Sequence, residues 1–85
     1  MVLAPLALAR AAPPPGAAAC SGCHAAAPDI ATPVPRLAGL EAAAIVTAME
    51  AFREGQREAT VMDRIARGFS DEEIRAIAAW YAGQP

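Results

Sequence analysis

Cys20-Ser21-Gly22-Cys23-His24 is the stretch on which the fold turns. The chain has two cysteines and one histidine, and all three fall within these five residues. Two thiols separated by two residues, with an imidazole directly after the second, form the attachment pattern for a c-type haem. In that pattern each sulfur makes a thioether and the histidine ligates iron. One short helical turn brings both sulfurs to one edge of the macrocycle and projects His24 toward the iron. Other chemistries explain less. A thioredoxin-like dithiol belongs with a βαβ unit and its sheet, and no segment here alternates in the way a strand requires. A structural zinc site needs a fourth ligand, and no other cysteine or histidine is present. A chance pair of inert cysteines leaves the chain's shortage of core volume unexplained.

That shortage follows from composition. Of 85 residues 55% are apolar, but 24 are alanine and only 5% of the chain is aromatic. Alanine contributes one methyl group where leucine or phenylalanine contributes a large packing unit. A domain this small buries only about 60% of the surface its unfolded chain exposes. A covalently held haem would supply the missing apolar centre. Length excludes two domains, a wound parallel sheet and a barrel, and no run of about 20 apolar residues exists to span a bilayer. Seven arginines, no lysines and nine acidic residues give a net charge of −2 without a basic cluster. That pattern does not suit a nucleic-acid surface.

Upstream of the motif, the apolar run Met1–Ala9 stops at Arg10 and lacks the basic residues that precede a signal core. It reads as a clipped signal peptide cleavable after Ala9, or as a retained arm interrupted by Pro5. Pro13-Pro14-Pro15-Gly16 is a rigid breaker, so a helix holding Cys20 and Cys23 begins only around Ala17 and is short. Residues 1–16 are therefore expected as a signal-like or extended arm, and 17–85 as the haem domain.

Downstream, the three prolines between Ala25 and Pro35 predict a covering loop. Leu40–Arg53 predicts a helix with Ala44, Ile45, Ala48, Met49 and Phe52 on its apolar stripe. Glu41, Glu50, Arg53 and Glu54 take more exposed positions, and Gly55 is the stop. A polar turn over 56–60 leads to Val61-Met62 and a short helix over Asp63–Arg67. Ser70 is an N-cap, Glu73 its capping-box partner, and Phe69 is placed to staple onto Ile74. Ile74, Ile77, Ala78 and Tyr81 then form the buried face of a final helix that Trp80 flanks. The expected fold is all-α, three to four short helices around one covalently bound haem.

From Ala17 onward the chain resembles a small class I cytochrome c. The segments Val34-Pro35-Arg36-Leu37-Ala38-Gly39, Ala59-Thr60-Val61-Met62 and Ile65–Ile74 are similar to those of the cytochrome subunit of flavocytochrome c sulfide dehydrogenase, and free cytochromes of the c4 and c553 types share much of the pattern. The first helix is shorter than that family's, and Ala25 stands where a glycine often follows the histidine. The resemblance implies Cys20, Cys23, His24, Pro33 and Met62 as the haem c-binding residues. His24 and Met62 would be the iron ligands, and the Pro33 carbonyl would orient His24 Nδ1. Met49, mid-helix, reads as core packing, and Met1 is poorly placed to compete with Met62.

A soft thioether opposite an imidazole favours reduced iron and leaves no open position for a substrate, so the domain would relay single electrons and would not be a catalyst by itself. The resemblance implies a place in a sulfide dehydrogenase complex, taking electrons from an FAD-containing flavoprotein subunit and passing them to an external acceptor. The alternatives are a free soluble periplasmic carrier and a haem-based gas or redox sensor in which Met62 leaves the iron. Covalent haem and the signal-like opening together point to the periplasm.

Overall fold

Pro13–Gly16 sets where regular structure starts. In the computed structural model, which describes residues 12–25 and 34–85, the first helix is α1, Ala17–Cys20. Its entry is a tight turn in which Ala17 N–H donates to Pro14 O at 3.0 Å. Gly16 caps it at φ +90°, a left-handed conformation that favours glycine. A single turn of four residues is unstable in isolation, so α1 depends on packing, and Ala17 is fully buried. Three further helices follow: α2, Ala42–Arg53; α3, Met62–Arg67; and α4, Asp71–Ala82. All regular structure among the described residues is helical, as the sequence predicts. None of these helices is long and apolar enough to cross a membrane. The amino-terminal residues before Ala12, most of the loop expected after Ala25, and Pro33 lie outside the described residues.

The start of α4 is built as its sequence predicts. Ser70 Oγ accepts from Glu73 N–H at 3.1 Å, and Glu73 Oε1 accepts from Ser70 N–H at 2.8 Å. Asp71, Glu72 and Glu73 complement the positive end of the helix dipole. Ile74, Ile77, Ala78 and Tyr81, spaced at i, i+3, i+4 and i+7, are all buried.

The apolar stripe of α2 differs from the expected one. Ile45 is buried, and Ala42, Val46 and Met49 pack against the core with it, while Ala44 is exposed. Residues 42, 45, 46 and 49 keep the helical period, whereas Ala44 stands about 100° away from Ile45 around the axis. Glu41 and Glu54 are exposed as expected, but Glu50 and Arg53 are half-buried. Gly55, at φ +74°, ends α2 through paired bonds, Gln56 N–H to Ala51 O at 2.9 Å and Gly55 N–H to Phe52 O at 3.2 Å.

Helix α2 packs against both α3 and α4. Arg53 in its last turn pairs with Asp71 at the start of α4 at 2.7 Å. The Arg57 guanidinium lies 4.7 Å from the centre of the Phe52 ring, tying the loop after α2 back onto the helix. The core gathers Ala17, Ile45, Ile77, Ala78 and Tyr81, so α1, α2 and α4 meet there, with Leu37, Phe69 and Trp80 packed around them. Phe69, expected as a partner for Ile74, packs against this cluster. Its ring sits so close to Gly16 that a Cβ there would come within 2.5 Å of Cε1.

Candidate functional site

The Cys20–His24 turn is a helix end that tightens. Helix α1 stops at Cys20, and the next three amide groups reach back three residues: Ser21 to Ala18 O at 3.3 Å, Gly22 to Ala19 O at 3.1 Å and Cys23 to Cys20 O at 3.2 Å. His24 N–H then donates to the same Cys20 carbonyl at 2.8 Å. The helix therefore holds Cys20 but not Cys23, contrary to the expectation that it would hold both. Such three-residue bonds commonly close a helix whose last carbonyls lack partners.

Both cysteines are free thiols, Cys20 half-buried and Cys23 exposed. Burial pushes the Cys20 thiol up from its ordinary range, a backbone hydrogen bond opposes that rise, and Cys23 adds to it. A redox-active dithiol is favoured by the opposite, a depressed thiol at its attacking cysteine. Among the described residues no three side chains of cysteine, histidine, aspartate or glutamate come together in a group that could hold a metal ion.

His24 Nδ1 lies 2.6 Å from the Pro35 carbonyl oxygen. A carbonyl can only accept, so Nδ1 carries the proton and Nε2 presents its lone pair, the tautomer that a metal ligand needs. The acceptor is thus Pro35, and Pro33, the residue the resemblance implied, lies outside the described residues. Pro35 is the proline nearest to a well-anchored segment. Leu37 packs on the core, Gly39 N–H donates to Tyr81 O at 3.0 Å, and Arg36 Nη2 donates to Pro85 O at 2.6 Å. A carbonyl that must be aimed needs fixed neighbours, and these contacts supply them.

The turn and this segment bring Cys20, Cys23, His24 and Pro35 into one site. Met62 stands on a separate element, half-buried as the first residue of α3. Met49 packs against the core cluster. An open concavity of about 640 Å³ lies over the polar loop and α3, lined by Arg57, Glu58, Thr60, Asp63 and Arg67 among others. Inside it Asp63 Oδ1 is buried with no hydrogen-bond partner, while Oδ2 is 3.6 Å from Arg67. This charged lining does not suit the apolar face of a macrocycle, and none of the candidate site residues takes part in it.

The donor set fits a c-type haem. Two free thiols flank one tightened turn, the imidazole is held in the ligating tautomer, and a thioether is available at the start of α3. The rest of the chain has apolar surface to offer such a group. Ile74 is the largest fully buried side chain among the described residues, and Leu40, Val61 and Ile65 are 43%, 48% and 38% exposed.

No protein-family model matches the chain. Curated proteins similar to it include the following three. The chain is 37% identical over 62 residues to the cytochrome subunit of sulfide dehydrogenase from Chlorobaculum tepidum, covering 73% of this chain and 56% of that protein. It is 38% identical over 69 residues to cytochrome c-554(548) from Halomonas halodenitrificans, covering 76% of this chain and 83% of that one. It is 40% identical over 73 residues to a thiosulfate dehydrogenase electron acceptor from Stutzerimonas stutzeri, covering 84% of this chain and 34% of that protein. The chain thus spans just over half the length of the first relative and a third of the last.

Proposed function

Because the chain belongs to the class I c-type cytochromes, we propose that it is a periplasmic electron-transfer subunit that takes single electrons from a sulfur-compound dehydrogenase and passes them to an external acceptor. The observation that carries this reading is the 2.6 Å bond from His24 Nδ1 to Pro35 O beside two free thiols. That bond prepares the imidazole to ligate a metal through Nε2, and a dithiol alone would not need it.

A bound haem c supplies a reversible one-electron couple. The chain's residues supply the rest. Cys20 and Cys23 would hold the group through thioethers, His24 would offer Nε2 to the iron while Pro35 holds its Nδ1 proton, and Met62 would offer a soft thioether. With His24 and Met62 both given to the iron, the group would serve to exchange electrons and not to bind a substrate.

A flavin-containing sulfide dehydrogenase subunit is the partner favoured here, and the similar protein from Chlorobaculum tepidum is named the cytochrome subunit of sulfide dehydrogenase. Oxidation on a flavin releases electrons in pairs, and a single-haem chain accepts them one at a time. A free carrier is the second reading, favoured by the match to most of the length of cytochrome c-554(548). Size-exclusion chromatography of protein from its native source tests the choice. Co-elution with a flavin-containing chain supports the subunit, and elution alone supports the carrier.

A further inference from the structure

Tyr81 is bonded to both of the segments that hold His24. Its side chain is 3% exposed, and its hydroxyl donates to Ala17 O at 2.6 Å. That hydroxyl has one hydrogen, so its 2.8 Å contact with Ser21 Oγ runs the other way, with Ser21 as the donor. Ala17 and Ser21 bracket Cys20, one helical turn apart, so the cysteine turn is fixed to α4 at two points. The backbone carbonyl of Tyr81 meanwhile accepts from Gly39 N–H at 3.0 Å and closes the segment that carries Pro35. The two segments meet in the bond between His24 and Pro35. For packing alone a phenylalanine would fill this volume, and a buried hydroxyl costs stability unless it is bonded.

We propose that Tyr81 and Ser21 are positioning residues for the axial histidine, a clasp that sets the strength of the His24–Pro35 hydrogen bond and through it the electron affinity of the haem. This rests on the reading of His24 as an iron ligand. A firm Nδ1–H bond makes the imidazole a better donor and stabilises oxidised iron. With the clasp cut, the turn keeps only its local backbone bonds, the bond to Pro35 loosens, and the reduction potential rises.

The test uses holoprotein carrying Tyr81→Phe, Ser21→Ala, Ser21→Thr, or Tyr81→Phe with Ser21→Ala. Potentials are measured by spectroelectrochemical titration, and exchange of the His24 Nδ1 proton by NMR. Tyr81→Phe and Ser21→Ala both raise the potential and speed proton exchange about two- to tenfold, the range expected for losing one ordinary hydrogen bond. Ser21→Thr keeps both values near those of the unaltered protein. The double variant goes no further than Tyr81→Phe, because the two residues act as one unit. Should Tyr81→Phe fail to accumulate, Ser21→Ala, at an exposed position, gives the same two readouts. Variants with the potential and exchange rate of the unaltered protein overturn the clasp. Loss of haem from the unaltered chain into acidified acetone overturns covalent attachment instead, and the two failures are told apart by that extraction.

Discussion

Gly16 is constrained both by its backbone conformation and by its neighbours. It holds φ +90°, and a methyl group added there would meet the Phe69 ring at 2.5 Å and 2.9 Å. Gly16→Ala combines a left-handed penalty of about 1–2 kcal/mol with an overpacking cost of similar size. Urea titration of the haem-loaded protein should record a loss of about 2–4 kcal/mol. At Met62 the expected change is spectroscopic. Met62→Ala should abolish the weak red-end absorption that a thioether gives to oxidised haem iron and should lower the potential, whereas Met49→Leu should leave both in place because Met49 packs in the core. Survival of the band in Met62→Ala would remove Met62 from the iron. At this scale the motif residues were legible because their chemistry is written in five consecutive positions. Pro35 was harder to read, since which carbonyl faces His24 depends on how Leu37, Gly39 and Arg36 are anchored far along the chain.

Among the elements, α4 is the one whose start and buried face follow from local chemistry alone. Ser70, Glu73 and the 74–77–78–81 spacing agree with one another, and local agreement of that kind makes an element readable. Ser70→Ala should cost about 1 kcal/mol in the same urea titration. Asp71→Asn, which breaks a partly exposed pair with Arg53, should cost less. In α2 the expected stripe departs only at Ala44, which is exposed, while Ala42 and Val46 take core-side positions. Alanines at 42, 43, 44 and 48 give the pattern little contrast, and only packing decides which of them faces inward. Helix α1 was legible in where it begins, because Pro13–Gly16 forbids an earlier start. Its end was not, because a single turn yields to three-residue bonds when tertiary contacts pull on it.

For the molecule as a whole, the 24 alanines leave too little bulk for a self-sufficient core. Cys20→Ala combined with Cys23→Ala should therefore yield a chain with little helical signal by circular dichroism, while the unaltered holoprotein gives the signal of a four-helix domain. A well-folded double variant would mean that alanine packing suffices. The bonds from Tyr81 to Ser21 and Ala17 join positions 60 and 64 residues apart. A turn fastened over so long a sequence separation is not secured by its neighbours alone, so the cysteine segment holds its form only in a chain whose last helix has docked.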